Sequence, residues 1–187
     1  MSLNSSSYYL AARLEGELLE KALMLQEYLA TRYNLYQKPY PPLHVTVGVI
    51  FPQSKNGLSK AAELLKSTVK NYLPFDIRAI SINCFDSPYK SVNLLIEENH
   101  TLRSLSAEIY KVLQENNIEA RPFDNWDYHI SLANTFYAVR EWTYQEFREA
   151  VSLLRTEEIY QKCNVSKIEL WDPIFPPLKV LATYCSP

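Results

Sequence analysis

Tyr8, Leu10, Ala12 and Leu14 alternate with Tyr9, Ala11 and Arg13, which is the period-two pattern of a half-buried strand. From Glu17 to about Tyr33 the period changes. Leu18, Leu19, Ala22, Leu25 and Leu29 recur every three or four positions, as an amphipathic helix requires. Pro39, Pro41 and Pro42 forbid helix and deliver an extended chain into Leu43 to Ile50, a strand with Val45, Val47 and Val49 on one face. Leu58 to Tyr72 reads as a second helix closed by Pro74, and Phe75 to Phe85 and Ser91 to Glu97 as two strands around the turn Asp86-Ser87-Pro88-Tyr89. Asn99 caps a third helix through about Gln114. Strands follow at Asp127 to Ala133 and Val165 to Trp171, separated by a helix from Thr143 to about Arg155 with Glu146 completing a capping box, and Leu178 to Tyr184 closes the chain.

Written as elements, residues 8–85 give strand, helix, strand, helix, strand, and residues 92–171 give that series again. The pattern predicts a duplication: one domain over 1–187 with two pseudo-symmetric lobes, about 8–85 and 92–171, plus a closing strand at 178–184. Hairpin-like neighbours among the strands favour an α+β arrangement over a doubly wound parallel sheet. The 187 residues are 47% hydrophobic, enough for a core without disulfide or structural metal. A net charge of −2 argues against binding of long duplex nucleic acid but leaves a nucleotide or short RNA open. Cys84, Cys163 and Cys185 are odd in number and widely spaced, as in a reducing cytoplasm, and neither a signal peptide nor a membrane span is expected. A monomer is expected.

The chemistry lies in two strands. His44 and Thr46 share one face of the first, with the valines opposite, and His129 and Ser131 share one face of the second, with Ile130 and Leu132 opposite. Each histidine stands at nearly the same offset in its half, 36 residues after Tyr8 and 37 after Val92. Gly48 and Ala133, next on each histidine face by simple alternation, are expected to leave room above the strand. Each half thus offers an imidazole and a hydroxyl about 7 Å apart at ~3.3 Å per residue. One neutral and one protonated imidazole are a general base and a general acid, and two hydroxyls can donate to phosphoryl oxygens. Unperturbed histidines place the optimum of such a pair between roughly pH 6 and 8.

Pro42-Leu43-His44-Val45-Thr46-Val47 and Tyr128-His129-Ile130-Ser131-Leu132 resemble the twin HxT/S tripeptides of the 2H phosphoesterases, which include the LigT-like RNA ligase/cyclic phosphodiesterase proteins. The resemblance covers nearly the whole chain, since that family has a duplicated two-lobed α+β arrangement. It implies mainly antiparallel sheets with outer helices and a central groove between the lobes, His44 and His129 as catalytic acid and base, Thr46 and Ser131 as phosphate-binding residues, and no metal or cofactor. It implies as substrate a nucleotide or short RNA with a 2′,3′-cyclic phosphate. The rivals are 2′–5′ RNA ligation, the formal reverse, and a non-catalytic module that binds RNA ends or a cyclic nucleotide.

Other candidates are weaker. Asp127 and Asp124 near His129 could build a metal site, but no HExxH or CxxC spacing supports one, and Asp127 fits better at the strand entry or tuning His129. His100 reads as a surface residue. Arg13 and Tyr9 lie on the non-core face of their strand, and Lys55 and Arg140 follow the histidine strands within reach of an anion. With three glycines and no GxSxG, the chain lacks phosphate-loop, dinucleotide and serine-hydrolase fingerprints.

Overall fold

The computed structural model describes residues 7–173 and 176–186. Its elements are β1 (Tyr8–Arg13), α1 (Gly16–Tyr33), β2 (His44–Ile50), α2 (Lys55–Lys70), β3 (Phe75–Phe85), β4 (Ser91–Ile96), α3 (His100–Glu115), β5 (His129–Ala133), α4 (Tyr144–Leu154), β6 (Lys162–Val165), β7 (Lys167–Asp172) and β8 (Lys179–Cys185). Helix starts obey the capping chemistry in the sequence. Asn99 accepts from the Leu102 N–H, Ser54 from Gly57, and Thr143 with Glu146 forms the expected capping box. Two antiparallel four-stranded sheets result, ordered β2-β1-β7-β8 and β5-β4-β3-β6, so the class is α+β with two lobes. Among the described residues, no helix is long and apolar enough to cross a membrane.

The sheets redraw the expected lobe boundaries. β3, assigned by pattern to the first lobe (8–85), pairs with β4 in the second sheet, and β7, assigned to the second (92–171), pairs with β1 in the first. The third strand of each half has crossed into the sheet of the other. Val165 to Trp171, expected as one strand, breaks at Ser166 because the chain changes sheets there: β6 pairs with β3 and β7 with β1 and β8. Helices are exchanged as well, α1 packing on β5 and β6 and α3 on β2. The first sheet therefore consists of residues 8–50 and 167–185 strands, and the second of strands from within 75–165.

Both histidine strands are edge strands of their sheets, and they lie against one another. Each carries a bulge one residue after its hydroxyl. Against β1, Leu10 pairs with Gly48 and Ala11 with Thr46, leaving Val47 extra; against β4, Val92 pairs with Ala133 and Asn93 with Ser131, leaving Leu132 extra. The bulges reverse the alternation, so Gly48 and Ala133 do not open the groove as expected. A Cβ on Gly48 would stand 2.9 Å from Leu10 Cδ1 and 3.2 Å from Ile109 Cγ2, on the core side. Ala133 is 1% exposed in the same core.

Val47 is the extra residue of the β2 bulge, and the Ser106 hydroxyl of α3 donates to its carbonyl at 3.0 Å. Ser106 in turn accepts from the Tyr128 hydroxyl at 2.8 Å, and Tyr128 is the residue before His129. All three groups are buried, so the two histidine strands are joined through α3 by a hydrogen-bonded chain out of water. Ser106→Ala strands the Val47 carbonyl and leaves the Tyr128 hydroxyl only the Leu102 carbonyl, 3.2 Å away, as acceptor. It should lower the unfolding free energy by about 1–3 kcal/mol, read as a fall in urea midpoint without a change in m-value.

Candidate active site

A groove of about 810 Å³ runs between the two sheets, and His44, Thr46, His129 and Ser131 all line it. The strand alternation read from the sequence thus brings the four residues to one cavity. Each imidazole is oriented in the same way. His44 Nδ1 lies 2.9 Å from the Pro42 carbonyl oxygen and His129 Nδ1 2.7 Å from the Asp127 carbonyl oxygen. A carbonyl only accepts, so Nδ1 carries the hydrogen in both rings and Nε2 is the nitrogen left for chemistry. Pro42 and Asp127 precede the first ladder residue of their strands, which is why their carbonyls are available.

Aromatic walls hold the rings. Trp171 packs against His44 with centroids 4.6 Å apart at 60°, and Phe85 against His129 at 4.9 Å and 79°. Both walls come from the exchanged strands, β7 and β3. Trp126 adds a second wall at His129, 5.8 Å away and tilted by 31°.

The surroundings of the two histidines differ in charge. Beside His44, Trp171 donates its indole N–H to Glu169 Oε2 at 2.8 Å, and Arg13 reaches the same carboxylate at 3.6 Å while its guanidinium lies 5.3 Å from the centre of the Trp171 ring. Alternation explains the cluster, because Arg13, Glu169 and Trp171 share the groove face of their strands while Ile168 and Leu170 take the core face. Desolvation lowers the pKa of His44 to about 4, with Arg13 and the imidazole of His129 pushing the same way against the Pro42 carbonyl. Burial lowers His129 too, but there the Asp127 carbonyl and carboxylate both act to restore proton affinity. Of the two readings offered for Asp127, the strand entry and the tuning of His129, this bears on the tuning.

The remaining sequence candidates separate. Tyr9 lines the groove and Arg13 stands beside His44. Arg140 is occupied by Glu146, with Nη2 to Oε1 at 2.6 Å, and also bonds the Tyr33 carbonyl; neither it nor Lys55 lines the groove. His100 is exposed at the start of α3. Asp124, Asp127 and His129 do not form a metal cluster, and among the described residues no three His, Cys, Asp or Glu side chains gather closely enough to hold a metal ion. Sequence reasoning missed Glu169 and Trp171, which alternation does place opposite the buried Ile168 and Leu170, Phe85, which simple alternation groups with the buried Phe75, Ile77 and Ala79 until the register shifts between Ala79 and Ser81, and Arg121 and Trp126, which lie in a loop where no periodicity speaks.

Two lobes whose edge strands face each other across a groove, each with an HxT or HxS tripeptide turned into it, define a 2H-type phosphoesterase fold. The sequence profile of the 2′-5′ RNA ligase superfamily matches residues 19–173, and the chain belongs to that superfamily. Compared by sequence with curated proteins, it matches none. Among solved structures it resembles Escherichia coli LigT complexed with NADP+, at TM-score 0.61 and 15% identity over 97% of this chain and 98% of that one. A structure described as a phosphoesterase aligns at TM-score 0.58 and 13% identity over 98% and 99% of the two chains. Kluyveromyces marxianus Usb1 with uridine monophosphate aligns at 0.54 and 12% over 97% and 98%.

Since burial lowers both imidazoles below the ordinary value of 6.5, the unfolded chain binds more protons than the folded one between that value and the folded constants. The histidines' stabilising contribution is complete above about pH 6.5 and is lost as the pH falls toward 4. Unfolding midpoints measured from pH 7 down to 4 should decline less steeply in His44→Ala than in the wild type. Equal slopes would contradict a desolvated His44.

Proposed function

We propose that this protein is a metal-independent phosphodiesterase that opens the 2′,3′-cyclic phosphate of a nucleotide or short RNA, with His44 as general base and His129 as general acid. The observation that carries the reading is the matched orientation of two imidazoles, each presenting Nε2 to one groove beside a hydroxyl. His44 Nε2 takes a proton from water as the water oxygen bonds to phosphorus. The bond from phosphorus to one ribose oxygen breaks, and His129 Nε2–H protonates that oxygen, giving a phosphate monoester and a free hydroxyl. Thr46 and Ser131 donate to the non-bridging oxygens as charge builds on them. The roles follow from the neighbours: Arg13 opposes a proton on His44, and the Asp127 carboxylate favours one on His129. LigT complexed with NADP+ and Usb1 with uridine monophosphate support a nucleotide as the occupant. The superfamily match also supports 2′–5′ ligation, in which a ribose 5′-hydroxyl attacks the cyclic phosphate in place of water and the bond to the 3′ oxygen breaks.

The test is turnover of nucleoside 2′,3′-cyclic phosphates and cyclic-phosphate oligonucleotides in the presence of chelator, with a 5′-hydroxyl acceptor added to detect joined product. Full activity with chelator is expected, and His44→Ala and His129→Ala should each lose on the order of 10²–10⁴ in rate. The double variant should be little worse than either single one. Activity that returns only with added metal would overturn the reading, and tight binding without turnover would make the protein a binding module.

The depressed imidazoles also move the pH profile from the range expected for unperturbed histidines. The kcat/KM bell reports the free enzyme and should peak below pH 6.5, its acid limb near 4 set by His44. The kcat bell should lie higher, because a bound phosphodiester anion raises both imidazoles. A kcat/KM maximum above pH 7 would contradict the assignment.

A further inference from the structure

The groove is poor in fixed positive charge. Arg121 is the one Lys or Arg among its described lining residues, against the carboxylates of Asp86 and Asp127. Arg13, Arg32, Arg78, Arg103 and Arg140 each pair with a carboxylate, whereas Arg121 has no ion pair among the described residues. Its guanidinium is exposed and lies 5.7 Å from the centre of the Trp126 ring, which also neighbours His129 at 5.8 Å. A cation therefore stands one indole away from the reactive imidazole.

The loop that carries this pair is fixed. The Arg121 N–H donates to the Val49 carbonyl at the end of β2 at 2.9 Å, and Ala120 bridges to Ile50. Arg103 of α3 donates to the carbonyls of Phe123 and Asp124, and Phe123 packs behind Trp126 at 4.8 Å. Trp126 itself backs the guanidinium, so its planar donor fork is held at the groove with the geometry that suits phosphate oxygens. One unpaired guanidinium matches one dianionic or monoanionic phosphate. It neighbours the same indole as the imidazole that flanks the reacting phosphate, so it meets a different phosphate of the same substrate.

Resting on the phosphoesterase reading above, we infer that Arg121, backed by Trp126, binds a second phosphate of the substrate. That group is either a 5′-phosphate on the nucleotide bearing the cyclic phosphate or the next phosphodiester along a short RNA. No further Lys or Arg lines the groove among the described residues, so a third phosphate should add little.

Three substrates separate the sources: a nucleoside 2′,3′-cyclic phosphate, the same compound with a 5′-phosphate, and a dinucleotide ending in the cyclic phosphate. The wild type should favour at least one two-phosphate substrate by about tenfold or more in kcat/KM. Arg121→Gln should bring that ratio close to one by raising KM, and Arg121→Lys should restore part of it. Preference for the 5′-phosphorylated nucleotide or for the dinucleotide identifies the source. A wild type that does not discriminate, or an Arg121→Gln that loses equally on all three, would overturn the inference. Calorimetric titration with a nucleoside 2′-monophosphate and its 2′,5′-bisphosphate repeats the comparison without turnover. If no cyclic phosphate is hydrolysed, the proposed activity fails, yet tighter bisphosphate binding that depends on Arg121 still sustains this subsite. Equal affinities would remove it.

Discussion

Two imidazoles carried on separate sheets can act on one atom only if their strands keep a fixed separation, and that separation rests on the buried chain from Tyr128 through Ser106 to the Val47 carbonyl. The chain meets β2 at Val47, the extra residue of its bulge. A helix that follows β4 in sequence is thereby tied to β2 in the other sheet, and its hydroxyl is shared with the residue next to His129. A second tie crosses the groove end: the Tyr36 hydroxyl donates to the Asn134 carbonyl and accepts from its N–H, both at 2.7 Å. Buried bonds of this kind are costly to leave unmade, which makes the spacing of the lobes a property of the core rather than of flexible loops.

Strand exchange gives the groove its walls. Had β3 and β7 stayed with the halves in which they arise, Phe85 and Trp171 would flank the opposite histidines. After exchange, each histidine is braced by an aromatic ring from the other half of the chain, so neither half builds a complete site alone. The pseudo-symmetry then stops at charge. Trp171 is anchored by Glu169 and Arg13, which puts a cation beside His44, while His129 has a carboxylate from its own strand entry.

Local chemistry in the sequence was sufficient for the elements and for the four inward-facing residues. Periodicity located the strands and helices within a few residues, capping residues marked the helix starts, and an i to i+2 step put His44 with Thr46 and His129 with Ser131. What the pattern could not carry were the events that depend on partners. A bulge is a mismatch between two strands, so alternation along one strand mistakenly placed Gly48 and Ala133 on the groove face. Exchange of β3 and β7 leaves element order untouched and is invisible to it. Arg121 and Trp126 belong to a loop whose position is set by Val49 and Arg103, both far away in sequence.

Charge and burial together imply that the groove does not hold a resident proton for catalysis. Both imidazoles are desolvated and, being adjacent, each resists protonation of the other, so the empty groove near neutral pH holds two neutral rings. On the phosphodiesterase proposed above, a phosphodiester entering the groove would supply the negative charge that makes one imidazolium favourable in this low-dielectric site. Arg13 and Asp127 would then decide which ring receives the proton. Binding and protonation are linked in that reading: the anion draws a proton onto His129 while His44 stays neutral, so the proposed acid–base pair is assembled by the substrate itself.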